Sequence, residues 1–201
     1  LDGIPADKSQ SNFTDPGSRI MKTKDGYEQA YNAHAAVDAA HQVIVSHDVT
    51  ATQNDGPELE SMVDQIEANV GERPEQLSAD AGYCSEDNLA ALDEREIDAY
   101  VATGRQKHGT ASATDHEEKK QGPLACAMRE KLRAGGWDSP YRLRKHTVEP
   151  VFGQIKESRG FRRFLLRGLR CVKGEWSLLC TVHNLLKLTG ATAANPLCTV
   201  R

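Results

Sequence analysis

Residues 78–83 read Ser-Ala-Asp-Ala-Gly-Tyr (SADAGY) and place an aspartate at the end of a short apolar run. Asp and Gly both favour turns, so the stretch predicts that a strand ends before Asp80 and that a helix begins after it. Open α/β sheets bind their ligands at such strand ends. Asp80 is therefore a candidate functional residue, and the plainer interpretation is that it belongs to a turn.

Upstream of this stretch the pattern predicts two antiparallel strands. Apolar and polar residues alternate from Tyr31 to Asp38, and β-branched residues are frequent in 41–50. A tight turn near Ala39–Ala40 would join the two strands. His34 is interpreted as a residue on the polar face of the first strand, with no metal role.

A helix is predicted between these strands and Asp80. Asp55 is its candidate cap, Pro57 lies in its first turn and Gly71 ends it. One apolar stripe, suited to packing on a sheet, consists of Leu59, Met62, Val63 and Ile66.

The alternation continues beyond this helix. A strand over 75–79 is predicted to deliver Asp80 at its end, Ser85 caps a short helix through Glu94, and 97–103 form another strand. The order β, β, α, β, α, β predicts an α/β fold with a mixed sheet and at least one parallel crossover.

The C-terminal half is predicted to be helical. Helices are expected over 124–135, over 141–160 with a bend at Pro150, and over 175–188. The last helix is apolar nearly all round and is expected to be buried, with His183 as a satisfied core residue.

Three segments are predicted to lie outside this framework. Residues 1–30 are polar and contain turn signals, so they are interpreted as an extended leader. Residues 104–122 are almost free of apolar side chains and are expected to form a mobile loop. Residues 31–188 would then form the domain, followed by a tail over 189–201.

The bulk composition indicates a soluble, cytoplasmic protein. A chain of 201 residues can bury a proper core, and it contains neither a signal peptide nor an apolar run long enough to span a membrane. Its five cysteines are scattered and form no CxxC pair. This argues against zinc or a disulfide framework and favours a reducing compartment.

The charge is distributed unevenly along the chain. Residues 141–173 contain ten Lys or Arg and two acids, a net charge of +8, so the remainder carries −12 of the total of −4. Aromatic residues are interspersed with the arginines in the run RGFRRFLLRGLR. The segment therefore predicts contacts with nucleic acid, against the simpler interpretation of a solvated basic helix face.

Carboxylates are the best-placed candidates for chemistry. The sequence has no nucleophile elbow, phosphate-binding glycine loop or HExxH signature. Glu149 lies in the basic segment, with Arg144 and Lys145 before it and Lys156 seven residues after it. Oxygen ligands select Mg²⁺ or Mn²⁺, and two such ions can activate water for phosphodiester cleavage.

These stretches resemble the bacterial insertion-sequence DDE transposases. The resemblance covers about Asn12 to Leu188 and rests on SADAGY, on HTVEPVFGQIKESRGFRRFLLRGL, and on NFTDPGSRIMKT with GYEQAYNAHAAVDA. It implies an RNase H-like mixed sheet flanked by helices, with a helical C-terminal part. It also implies metal-dependent cleavage and joining of double-stranded DNA by a homo-oligomer acting on transposon ends and target, in the bacterial cytoplasm near the nucleoid.

The resemblance assigns roles residue by residue. Asp80 matches the second catalytic acid, Glu149 the third, and Lys156 the lysine that follows this glutamate. The two acids are expected to hold Mg²⁺ or Mn²⁺, with their carboxyl groups roughly 4–9 Å apart. The residues expected to bind DNA phosphates are Arg144, Lys145, Arg159, Arg162, Arg163 and Arg167.

The first acid of the family pattern has no clear match. It is expected upstream of residue 1, on a first strand that this sequence lacks, so the chain is interpreted as a partial copy that does not carry out strand transfer alone. Asp15 and Asp38 are in-chain substitutes, and turn roles explain both better. The alternatives left open are a non-catalytic DNA-binding remnant and a nuclease that cuts without joining.

Overall fold

A computed structural model describes residues 11–23, 26–104 and 122–194. Its strands are β1 (Arg19–Thr23), β2 (Gly26–Ala30), β3 (Asn32–Val37), β4 (Ile44–Thr50), β5 (Gln76–Ala79) and β6 (Asp98–Val101). Its helices are α1 (Glu58–Val70), α2 (Glu86–Glu94), α3 (Pro123–Gly135), α4 (Arg144–Gly153) and α5 (Leu169–Ala194). Nearly all of the predicted mobile loop and the end of the predicted tail lie outside the described residues.

The strands form three separate pairs rather than one mixed sheet. β1 and β2 are antiparallel, as are β3 and β4, whereas β5 and β6 are parallel. The predicted hairpin and the predicted parallel crossover through α2 are thus present. Within the described residues no hydrogen-bonded ladder joins the β3–β4 pair to the β5–β6 pair. The mixed α/β class is observed, while a continuous sheet is not.

A hairpin replaces the second half of the predicted leader. β1 pairs with β2 in a register that places Thr23 opposite Gly26. Gly26 has a φ of 132°, a backbone conformation that favours glycine. Met21 on β1 is buried, with 6% of its surface exposed, so the hairpin is packed against the rest of the chain.

Helix α1 buries the predicted apolar stripe but begins differently from the prediction. Pro57 occupies the cap position and the left-handed Gly71 (φ 89°) ends the helix. The carboxylate of Asp55 does not cap it; Oδ1 accepts a hydrogen bond of 2.6 Å from Nδ2 of Asn32 on β3. The buried stripe consists of Leu59, Met62, Val63 and Ile66, as predicted.

Two apolar clusters account for most of the core. The first joins α1, α2 and α3 to the β5–β6 pair through Leu59, Val63, Ala79, Leu89, Leu92, Ile97, Ala99, Val101 and Ala125. The second joins β4 to α4 and α5 through Ile44, Val49, Val151, Ile155, Val172, Trp176, Leu179 and Cys180. Each cluster covers its own pair of strands, which agrees with the absence of a ladder between them.

The helical run through Pro150 contains no break at the proline itself. A 3₁₀ turn (Pro140–Leu143) precedes α4, and a π turn (Gln154–Ser158) follows it. Proline has no N–H for the carbonyl four residues earlier, which is that of His146. Nε2 of Gln42 donates to this oxygen at 2.7 Å and satisfies it from outside the helix.

Helix α5 is buried on one face, and the prediction of burial all round is wrong. Trp176, Cys180 and His183 face the core, whereas Leu178 and Leu185 are more than half exposed. Hydrophobicity cannot tell a helix enclosed on all sides from one that packs on one side. The helix also continues to Ala194, into the predicted tail. No helix of the described residues is long and apolar enough to cross a membrane.

Candidate active site

Asp80 lies at the junction that the sequence predicted. It follows the last residue of β5 in an extended conformation, and a 3₁₀ turn over Ala81–Tyr83 begins directly after it. The N–H of Tyr83 donates to the carbonyl of Asp80 at 3.0 Å and closes this turn. The carboxylate itself is exposed, with 55% of the side chain accessible to solvent.

The turn after Asp80 is fixed from the β3 strand. The Tyr83 hydroxyl and Nδ1 of His34 form a hydrogen bond of 2.6 Å. A Cβ added at Gly82 would overlap the carboxylate of Asp55, so this position accepts only glycine without rearrangement. His34 is 3% exposed, so it does not lie on a solvated polar face; it is a buried partner of the SADAGY turn.

The hydrogen bond between His34 and Tyr83 joins two neutral groups at pH 7. Burial lowers the pKa of His34, so its imidazole is uncharged. Burial, followed by the nearby Asp55 carboxylate, raises the pKa of Tyr83. Neither group changes charge near neutrality, so both act as fixed supports for the turn.

The second candidate acid, Glu149, approaches Asp80 through Arg144. Nη1 of Arg144 donates to Oδ2 of Asp80 at 2.7 Å, and Nη2 lies 3.8 Å from Oε1 of Glu149. Because both contacts end on one planar guanidinium, the two carboxyl groups lie within about 9 Å of each other. The predicted convergence of these acids is therefore observed, although 68 residues separate them in sequence.

The buried ring of Tyr141 packs against the same arginine. This ring is 4% exposed and packs with Ala102 and Leu132, and the guanidinium carbon of Arg144 lies 5.4 Å from the ring centroid. Burial raises the pKa of Tyr141, so the phenol remains protonated. The aromatic ring helps to hold the guanidinium of Arg144 in position next to the two acids.

The acidic pair, Asp80 and Glu149, fits a divalent ion in donor chemistry. Carboxylate oxygens are the hard ligands that Mg²⁺ and Mn²⁺ prefer, and the guanidinium between the acids already places positive charge at this position. Within the part of the chain that the structure describes, no group of three or more His, Cys, Asp or Glu could hold a metal ion. The pair thus provides two ligands.

The proposed in-chain substitutes for the first acid are engaged elsewhere. Oδ1 of Asp15 accepts hydrogen bonds from the Tyr31 hydroxyl (2.7 Å) and from the N–H of Gly168 (3.0 Å). Oδ2 of Asp38 accepts from the N–H of His41 at 2.7 Å, within its own turn. Both contacts are structural, which supports turn or anchoring roles for the two residues.

Asp15→Ala should lower the free energy of unfolding at pH 7 by about 1–3 kcal/mol, because two donors lose a buried acceptor. The hydrogen bond from Tyr31, ahead of the other contacts, lowers the pKa of Asp15. A lowered pKa stabilises the fold above the unfolded value of about 3.9, and this contribution is lost as pH falls through the folded value. Urea titrations from pH 7 to pH 2.5 would measure the difference between wild type and variant.

The control for this prediction is Asp38→Ala, whose exposed turn carboxylate should matter less. A wild-type advantage over Asp15→Ala that stays constant down to pH 2.5 would contradict the assigned role of the carboxylate.

Some of the predicted DNA-binding residues are exposed, and others already contact protein side chains. Arg162, Arg163 and Arg167 are exposed in the segment between the π turn and α5. Arg159 is half-buried, and its Nη1 donates to Nδ1 of His183 at 3.2 Å. Nε2 of His183 donates to the carbonyl of Gln42 at 2.9 Å, so His183 is a satisfied core residue, as expected. Arg144 is held by the acidic pair. The side chain of Lys145 lies outside the described residues.

Two carboxylates hold the segment 159–168, here called the arginine loop. Glu175 on α5 accepts from the N–H groups of Leu165 and Leu166 at 2.9–3.1 Å, and Asp15 accepts from that of Gly168. The loop borders a groove of about 750 Å³. Lys156 lies at this groove with its ammonium 5.5 Å from the centroid of the Phe152 ring.

The sequence predicted the two candidate acids but not the residues that hold the neighbouring turn and loop in position. The roles of His34, Tyr83, Asp55 and Glu175 depend on contacts between residues far apart in sequence. The single local signal was glycine at position 82, where a close backbone approach was foreseeable.

Comparison with known proteins gives one family. No curated protein and no solved structure matches the chain. The family model described as "Transposase DDE domain" matches residues 3–185, which is most of the chain and includes both candidate acids and the arginine loop. The chain therefore belongs to the transposase DDE domain family.

Proposed function

We propose that this chain takes part in metal-dependent cleavage and transfer of DNA strands in the transposition of an insertion sequence. The observation that carries the proposal is the meeting of Asp80 and Glu149 at one guanidinium, in a chain of the transposase DDE domain family. Double-stranded DNA, as transposon ends and target, is the proposed substrate, and a homo-oligomer is the proposed acting species.

Asp80 and Glu149 are the proposed ligands of Mg²⁺ or Mn²⁺. When bound, such an ion supplies Lewis-acid stabilisation of the oxygens at the cleaved phosphodiester. Lys156 is proposed to contact a phosphate close to the cleaved bond, since its ammonium is exposed two helical turns after Glu149. The exposed arginines of the arginine loop would hold the DNA backbone.

The direct test is strand cleavage. The purified chain would be incubated with end-labelled duplex DNA carrying the terminal sequences of its own element, in Mn²⁺, in Mg²⁺ or in EDTA. Products separated on a denaturing gel distinguish nicked from joined strands. Metal-dependent nicking and joining would support the proposal and would contradict the expectation that the chain alone carries out no strand transfer. Nicking without joining would instead indicate a nuclease.

A second candidate function is DNA binding without catalysis. The observation that favours it is that the acidic pair provides two metal ligands and that no third acid joins it among the described residues. DNA binding that persists without metal-dependent cleavage would favour this candidate over the first.

The arginine loop should bind DNA through phosphates, independently of sequence. Each phosphate contact contributes about 0.9 to the slope of log K against log salt, so replacing Arg162 and Arg163 together by Ala should lower its magnitude by about two. The ion pair of Arg162 with Glu157 is exposed, and such pairs are weak, so we expect a DNA phosphate to replace Glu157 as the partner of Arg162. Fluorescence anisotropy of a labelled duplex over a salt series would measure the slope.

The matched control is the double replacement of Arg73 and Arg133 by Ala. Both are exposed arginines outside the basic segment, and their loss should leave the slope within experimental error. An unchanged slope in the Arg162 and Arg163 double variant would remove these residues from the DNA interface.

A further inference from the structure

Arg144 fills the space between the two candidate metal ligands. Its guanidinium donates to Asp80 at 2.7 Å and lies 3.8 Å from Glu149, while its side chain is only 18% exposed. A metal ion needs carboxylate oxygens at about 2.0–2.3 Å, so Oδ2 of Asp80 and Oε1 of Glu149 cannot both bind the same ion while they remain in contact with the guanidinium.

Two features of the surroundings of Arg144 favour its release, and they oppose the contact with the Tyr141 ring that the side chain would give up. Nε is buried and makes no hydrogen bond with a protein group, so the outward movement of this side chain would break no structural hydrogen bond at that atom. Both acids are 55% exposed, so the site opens towards solvent. Arginine also binds phosphate in the same bidentate manner as carboxylate.

We propose that Arg144 is a built-in counterion that competes with the divalent metal for Asp80 and Glu149 and transfers to a DNA phosphate when the metal binds. The inference rests on the proposed function. It makes metal binding and DNA binding mutually supportive, because a phosphate that draws Arg144 away frees the acids, and linkage requires the reverse effect to be equal.

Mn²⁺ binding tests the competition without any measurement of activity. Free Mn²⁺ would be titrated by electron paramagnetic resonance in wild type, Arg144→Gln and Arg144→Lys, with Arg170→Gln as the exposed arginine control. Arg144→Gln should lower the Kd for Mn²⁺ at least about fivefold, in the range of typical coupling energies. Arg144→Lys should lie between the two, because one ammonium cannot span both carboxylates as a planar fork does.

A second arm measures the coupling to DNA. Saturating amounts of a short duplex should tighten Mn²⁺ binding to wild type, after subtraction of Mn²⁺ bound by the duplex alone. The gain should be smaller in Arg144→Gln, whose acids are already free. An equal gain in both proteins would overturn the transfer of Arg144 to phosphate.

Asp80→Asn and Glu149→Gln separate this inference from the proposed function. If neither change weakens Mn²⁺ binding, the proposed metal site is wrong. If both weaken it but Arg144→Gln binds Mn²⁺ no more tightly than wild type, the metal site stands and the competition is refuted. Circular dichroism and urea midpoints would verify folding. If Arg144→Gln is unfolded, the Kd of Arg144→Lys for Mn²⁺ is compared with that of wild type instead, and an unchanged Kd refutes the competition.

Discussion

Glu149→Gln is expected to reduce the rate of Mn²⁺-dependent DNA cleavage on the order of 10³-fold or more. The amide preserves the shape of the side chain but removes the negative charge that holds a cation beside Asp80. Asp80→Asn should have a comparable effect, and the double variant should be little worse than either single one, because the two acids act as a unit. Single-turnover cleavage of labelled duplex DNA would give the rates.

The matched control for this pair is Glu94→Gln, an exposed glutamate at the end of α2 that has no proposed role. It should cleave at the wild-type rate. Full activity of Glu149→Gln would exclude Glu149 as a metal ligand and would reopen the assignment of the acidic site.

Trp176→Ala should lower the free energy of unfolding by about 3–5 kcal/mol, the largest expected effect on stability. The Trp176 ring stacks on Phe152 at 5.8 Å and meets Phe164 edge to face at 6.3 Å. Its Nε1 donates at 3.0 Å to the carbonyl of His34. One residue therefore joins α5 to α4, to the arginine loop and to β3, and urea unfolding followed by far-ultraviolet circular dichroism would measure the loss.

Two further variants test this interpretation of Trp176. Trp176→Phe keeps an aromatic ring but leaves the His34 carbonyl without its donor, which should cost about 1–3 kcal/mol. Leu178→Ala, on the exposed face of the same helix, should stay within about 0.5 kcal/mol of wild type. A similar loss for Leu178→Ala and Trp176→Ala would show that α5 is covered on both faces.

The parts of the fold that sequence predicted are those encoded by neighbouring residues. The apolar stripe of α1, its end at Gly71 and the cap of α2 at Ser85 all follow from contacts within one or two helical turns. The hairpin of β3 and β4 follows from alternation along each strand. Such local signals need no knowledge of the rest of the chain.

The errors arose where a local pattern has more than one tertiary outcome. The helix through 175–188 is apolar enough to be enclosed, yet nothing in its own residues specifies how many neighbours pack against it. The same holds for the strands, whose pattern predicts pairing partners nearby but not whether separate pairs join into one sheet.

For the candidate site, the sequence by itself placed Asp80 at the end of a strand and Glu149 in a basic helix, and the resemblance to a family gave both their proposed roles. Only the tertiary structure brought the two acids to Arg144, placed His34 behind Tyr83, and tied the arginine loop to Asp15 and Glu175. The physical reason is separation along the chain. Capping and periodicity act over a few residues, whereas these hydrogen bonds and ion pairs form only after the apolar clusters have packed distant segments together.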